Sequence, residues 1–91
     1  MRMPSVWSEP RVGPTVTLDK FRRLRMGMSL VEVEQIIGGK CTVMLEVGQS
    51  VLLLDLNFTV YMCDGNGGLG SNMTFTMQSG RLISKVQFGL H

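Results

Sequence analysis

The chain is poor in the residues that do chemistry. Among 91 residues there is one histidine, His91, at the last position, with two cysteines, one tryptophan and one tyrosine. With no internal histidine, a serine or cysteine nucleophile lacks its usual base, and a zinc site lacks the ligands to complete it. Charge is sparse and nearly balanced, nine basic against seven acidic residues, without the clustered basic stripe that grips a phosphate backbone. The longest apolar run, Val51 to Leu54, falls far short of the roughly 20 residues that cross a bilayer. The opening Met1–Pro10 segment contains no apolar stretch of the length a secretory signal needs. These absences argue against metal sites, cofactors, His-dependent catalysis, nucleic-acid binding and a membrane span. They name no activity.

What is present is material for one small core. Hydrophobic residues make up 44% of the chain, enough for a single domain and too few residues for two. Ordering such a chain costs on the order of 100 kcal/mol of conformational entropy, so most of the apolar side chains must be buried. Pro4, Pro10, Gly13 and Pro14 oppose regular structure at the start. Residues 1–14 are therefore read as a flexible N-terminal arm and residues 15–91 as a single domain. Trp7, inside the arm, is either an anchor for a partner or a cover folded back on an open edge of the core.

Thr17 is a plausible N-cap for a first helix whose apolar face is Leu18, Phe21 and Leu24, with Gly27 as its stop. Ser29 and Glu32 have capping-box spacing for a second helix, with Met28 and Val33 placed for a hydrophobic staple. Val33, Ile36 and Ile37 form its buried stripe, and Gly38-Gly39 end it. Glu32 and Glu34 read as cap and solvated charge rather than an acid–base pair. Beyond Gly39 the period changes to two. Thr42–Val47, Val51–Cys63, Met73–Gln78 and Arg81–Leu90 are β-prone, and Ile83-Ser84 interrupt the alternation of the last. Two N-terminal helices packed on one face of a four-stranded antiparallel sheet, an α+β domain, is the fold this order predicts. The glycine-rich stretch Asp64–Gly70 leads into strand-like sequence and lacks the Gly-Lys-Ser/Thr of a phosphate loop, so it reads as a connection.

The motif order is similar to that of a known family. Phe21-x-x-Leu24-x-x-Gly27-Met28-Ser29-x-x-Glu32-Val33-x-x-Ile36-Ile37-Gly38-Gly39 resembles the repeat unit of the beta-lactamase inhibitory protein superfamily. The same helix start occurs in small envelope lipoproteins of the barrel-assembly type. Tyr61-x-Cys63-x-Gly65, the glycine-rich loop, and Asn72-x-x-Phe75 through Phe88-Gly89-Leu90 resemble short secreted or lipoprotein domains of Gram-positive bacteria in that superfamily. The resemblance spans about residues 17–90 and implies binding without catalysis, since two tandem copies in the inhibitory protein present a concave sheet to an enzyme. This chain departs from the pattern in having one unit, in placing Cys63 where an aromatic is usual, and in the apolar Val51-Leu52-Leu53-Leu54-Asp55-Leu56, where the family has a polar connection. That segment reads as a strand extension or as an interface patch.

Register decides the cysteines. A turn at Gly48-Gln49 sets Cys41 opposite about residue 57, out of reach of Cys63; pairing about residue 52 sets the two opposite each other and makes them a candidate disulfide. The family's longer connection favours the second.

Met73, Phe75, Met77, Leu82, Val86 and Phe88 are assigned to the core. The opposite pleat, with Tyr61, Thr74, Thr76, Gln78, Lys85 and Gln87, is the candidate protein-docking surface. The partner expected is another protein, or a second copy forming a homodimer through the 51–56 segment. The alternatives are a small intracellular inhibitor of a host nuclease or defence protein, of phage or mobile-element origin, and a purely structural homodimer. An enzyme reading would need Cys63 beside Asp64 as a reactive thiol. The resemblance implies the cell envelope or secretion, and the missing signal the cytoplasm if the chain is complete as given.

Overall fold

A computed structural model describes residues 14–48, 50–51, 54–55 and 57–91, with only the backbone described at 50–51 and 54–55. The arm apart from Pro14, and Leu52, Leu53 and Leu56 of the apolar segment, lie outside the described residues. In chain order the elements are β1 (Thr15–Val16), α1 (Leu18–Arg23), α2 (Leu30–Ile37), β2 (Thr42–Val47), β3 (Ser50–Val51), β4 (Leu54–Asp55), β5 (Phe58–Gly65), β6 (Asn72–Gln78) and β7 (Arg81–Phe88). The described residues are α+β, with two helices and a mostly antiparallel sheet.

Thr17 caps α1, its hydroxyl accepting from the Lys20 amide at 3.1 Å. The helix stops at Arg23, short of the expected stop at Gly27, and Leu24 takes an extended backbone with its side chain buried. The reason lies across the fold. The Gly27 amide donates to the Leu82 carbonyl at 2.8 Å, and the Leu82 amide donates to the Met28 carbonyl at 2.7 Å. Residues 27 and 28 thus bond to the outer edge of β7, which a continuing helix could not do. In α2 the capping box is complete, Glu32 N to Ser29 Oγ at 3.2 Å and Ser29 N to Glu32 Oε1 at 2.9 Å. Gly38 ends the helix at φ +100, a left-handed conformation that favours glycine.

β5 lies at the centre of the main sheet. β6 pairs antiparallel along one side of it and β7 pairs with β6. On its other side, β2 pairs antiparallel with residues 58–62 and β1 pairs parallel with Asp64 and Gly65. β1 is a strand that the sequence pattern does not reveal, yet its Val16 is fully buried. The β2–β5 register runs from Thr42 opposite Met62 to Val47 opposite Phe58, which a turn at Gly48 would not give. β3 and β4 continue it as a small ribbon, Ser50 opposite Asp55 and Val51 opposite Leu54. One hydrophobic cluster unites Val16, Leu24, Val33 and Ile37 with Cys63, Met73, Phe75 and Leu82 of the sheet.

The register corrects the expected faces. Residues directly opposite in an antiparallel pair share a face. Tyr61 opposes Phe75, and Cys63 opposes Met73, so Tyr61 belongs to the core side. In β7 the pairing steps from Met77–Leu82 to Thr76–Ser84, leaving Ile83 as the extra residue of a β-bulge. Past the bulge the phase reverses: Lys85 opposes Phe75 and Gln87 opposes Met73 on the core side. Val86 and Phe88, expected in the core, are instead 61% and 67% exposed.

Candidate functional site

The face of the sheet opposite the core is built in rows by the same pairings. One row reads Leu45, Val60, Thr76, Ser84 across β2, β5, β6 and β7; the next reads Thr42, Met62, Thr74, Val86. Neither row holds a charge. Charges stand only towards the two ends, Asp64 in the row of Asn72 and Phe88, and Arg81 in the row of Phe58 and Gln78. Leu45, Met62, Val86 and Phe88 are exposed. A sheet face that meets only water is usually polar and alternates cleanly with the core face. This one interleaves threonines with exposed aliphatic and aromatic groups.

The loop between β5 and β6 projects beside one end of this face and is pinned by hydrogen bonds. Gly65 N donates to Ser71 O and Gly67 N to Ser71 Oγ, each at 3.0 Å, while Ser71 Oγ donates to Gly68 O at 3.0 Å. The Asn66 side chain closes a two-way bridge with the chain end, Nδ2 donating to His91 O and Oδ1 accepting from His91 N, both at 3.0 Å. At Gly67 a side chain is excluded outright, because a Cβ would lie 1.6 Å from the Gly89 carbonyl oxygen. Leu69 sits at the tip, fully exposed. A groove of about 550 Å³ lined by Met62, Asp64, Leu69 and Asn72 joins the tip to the open face.

Of the residues expected to bind a partner, Thr74, Thr76 and Gln78 lie on the open face. Tyr61, Lys85 and Gln87 do not. The Tyr61 ring stacks on Phe75 with centroids 4.8 Å apart and planes 13° from parallel. Burial raises its phenol pKa above the usual value, helped by the nearby Glu34 and Glu46 carboxylates. Lys85 Nζ donates to the Phe21 and Leu24 carbonyls at 2.6 and 2.8 Å and lies 4.4 Å from the Phe21 ring centroid. A cation suits the carbonyl end of a helix. Burial pushes the Lys85 ammonium pKa below its usual value. Gln87 Oε1 accepts from the Leu90 amide at 3.0 Å. Val86 and Phe88 were missed as surface groups. The signal that could have found them is the Ile83-Ser84 break in alternation, which marks the bulge.

In the apolar segment, Val51 and Leu54 pair through their backbones in the β3–β4 ribbon. Cys41 and Cys63 are joined in a disulfide with Cα atoms 4.9 Å apart, so the thiol beside Asp64 that an enzyme reading needs is not free in this structure. Among the described residues no group of three or more His, Cys, Asp or Glu side chains is placed to hold a metal, and no helix is long and apolar enough to cross a membrane.

The family model described as Beta-lactamase inhibitor (BLIP) matches residues 17–91, from the N-cap of α1 to the chain end. No curated protein matches the chain.

Proposed function

Because the chain belongs to the Beta-lactamase inhibitor (BLIP) family, we propose that it is a protein-binding, inhibitor-like module that docks through its open sheet face and does no catalysis. On this reading both helices lie over the core face and leave the other face of the sheet for a partner. The observation that carries it is the pair of charge-free rows holding Leu45, Met62 and Val86, flanked by Phe88 and continued by the exposed Leu69 tip. Docking on the two central rows desolvates hydroxyls and apolar groups but no ion, so their burial costs little and apolar contact returns most of the gain. The loop's hydrogen bonds hold Leu69 in place before a partner arrives, which lowers the entropy lost on binding.

The docking set is accordingly redrawn. Thr74, Thr76 and Gln78 remain in it; Phe88, Val86, Met62 and Leu69 join as anchors; Tyr61, Lys85 and Gln87 serve the core side instead. The family's description makes a beta-lactamase the first partner to try. The test titrates the protein against a purified beta-lactamase, following hydrolysis of a chromogenic substrate and binding by calorimetry. Alanine at Phe88, Met62 or Leu69 is expected to weaken binding by about tenfold or more, the scale of an interface hot spot, while Tyr61→Phe leaves it unchanged. The face assignment falls if a bound partner is indifferent to all three alanines.

A further inference from the structure

We infer that β2 is a separable flap clasped to the sheet by the Cys41–Cys63 disulfide, and that reduction by a dithiol releases it while the rest of the domain stays folded. Thr42 to Glu46 are all exposed and Val47 is half-buried, so the strand contributes no side chain to the hydrophobic cluster. Its backbone ladder to β5 is interrupted by a register shift between Val43 and Leu45. Glycines bracket it, with Gly38 and Gly39 before and Gly48 after, and Gly38 is already in the left-handed conformation. β6, by contrast, buries Met73, Phe75 and Met77. Segments with few buried apolar contacts open at the low end of a protein's range of local stabilities.

Among the described residues, the link of another kind is the disulfide just before the strand. It ties half-buried Cys41 to Cys63, which is 2% exposed and sits on β5. The two ends of this tie therefore differ. Cys63 stays fixed in the core whether or not the bond exists, whereas Cys41 is on the element that can leave. An incoming thiolate reaches the Cys41 sulfur more readily. It displaces Cys63 as thiolate, and the reductant's second thiolate then displaces Cys41. The bond between the two cysteines breaks, each of their sulfurs ends with one added electron and one added proton, and the dithiol leaves as its own disulfide.

Release of β2 would take Thr42, Leu45 and Val47 off the open face. That consequence rests on the proposed docking function; the release does not, and the test needs no partner. Amide hydrogen exchange is measured by mass spectrometry on the whole chain, oxidised and then reduced with dithiothreitol, and on the Cys41→Ala/Cys63→Ala variant. The expected result is that β2 amides are protected in the oxidised protein and exchange near the rate of unstructured chain once the bond is gone. β6 amides keep at least about a hundredfold protection in both reduced protein and variant. If β2 keeps its protection without the bond, or β2 and β6 lose theirs together, the flap does not exist. A β2 already unprotected in the oxidised protein overturns the clasp equally.

Discussion

β6 and β7 are neighbours in one sheet and fill their core side by different means. β6 keeps an unbroken two-residue period and buries Met73, Phe75 and Met77. β7 buries Leu82, spends Ile83 on a bulge, and then turns Lys85 and Gln87 to the same side, sending Val86 and Phe88 out. The difference teaches that a core position can be filled by a polar tether where a helix end offers acceptors. Lys85 ties the carbonyls of Phe21 in α1 and of Leu24, its C-cap, to the sheet, with its ammonium over the Phe21 ring. The exchange frees two apolar side chains for the open face.

The largest expected effect sets the two strands' phenylalanines against each other. Phe75→Ala removes a ring that is 1% exposed and is expected to cost about 3–5 kcal/mol by urea denaturation. Phe88→Ala, in a residue 67% exposed, is expected to stay within about 0.5 kcal/mol. Equal losses would mean that β7 had kept the phase of β6 and that the bulge is misplaced.

Next comes the clasp on the opposite edge of the sheet. Cysteines 22 residues apart close a loop of moderate length, and removing both as alanines is expected to lower stability by about 2–4 kcal/mol. Calorimetric melting of oxidised protein and variant checks it. A loss below about 1 kcal/mol would leave the disulfide without a role in the stability of the domain as a whole.

How much of this was legible follows from where the decisive contacts lie. The Ser29–Glu32 box, the Thr17 cap and the alternation of Met73, Phe75 and Met77 are local, and local patterns survive in sequence. The end of α1 was not legible, because it is set by hydrogen bonds that residues 27 and 28 exchange with Leu82, more than 50 residues on. β1 was invisible for the same reason: two residues carry no period, and their parallel pairing with Asp64 and Gly65 is long-range. In β5 the set Phe58, Val60, Met62 is about as apolar as Thr59, Tyr61, Cys63, so the letters do not choose a face. The contacts of Tyr61 with Phe75 and of Cys63 with Cys41 choose it. The side of the sheet was therefore legible for Thr74, Thr76 and Gln78, while the outward turn of Val86 and Phe88 was hidden behind one extra residue.

Lys85 offers a sharper test of the tether. Lys85→Met keeps the stem and removes the ammonium from the Phe21 and Leu24 carbonyls, with an expected loss of about 1–3 kcal/mol near neutral pH. The sign of its pH dependence follows from burial. The folded pKa lies below the ordinary 10.5, so between the two the unfolded chain binds more protons and stability rises with pH. The wild type should therefore gain on Lys85→Met as pH climbs through the lowered pKa towards 10.5. Denaturation midpoints for both proteins across that window read the difference, and a parallel pair of curves would deny the ammonium its burial.

Tyr61, across the β5–β6 pair on the same core side, should show the opposite slope and the smallest effect. Its folded pKa is raised above 10.0 by burial and by the Glu34 and Glu46 carboxylates. The folded chain then binds more protons between 10.0 and that raised value. The stability linked to the phenol is whole below pH 10 and drains away as pH rises through the folded pKa. Tyr61 is the only tyrosine, so phenolate absorbance reports this one group. Glu46→Gln is expected to lower its midpoint slightly, and Glu34→Gln to do so somewhat more, following the order of their influence. Releasing β2, which carries Glu46 and sets Val43 opposite Tyr61, should lower it as well, so one absorbance titration run with and without reductant compares the clasped edge with the packed core. A midpoint at the ordinary value in the oxidised protein would place Tyr61 in solvent and return it to the open face.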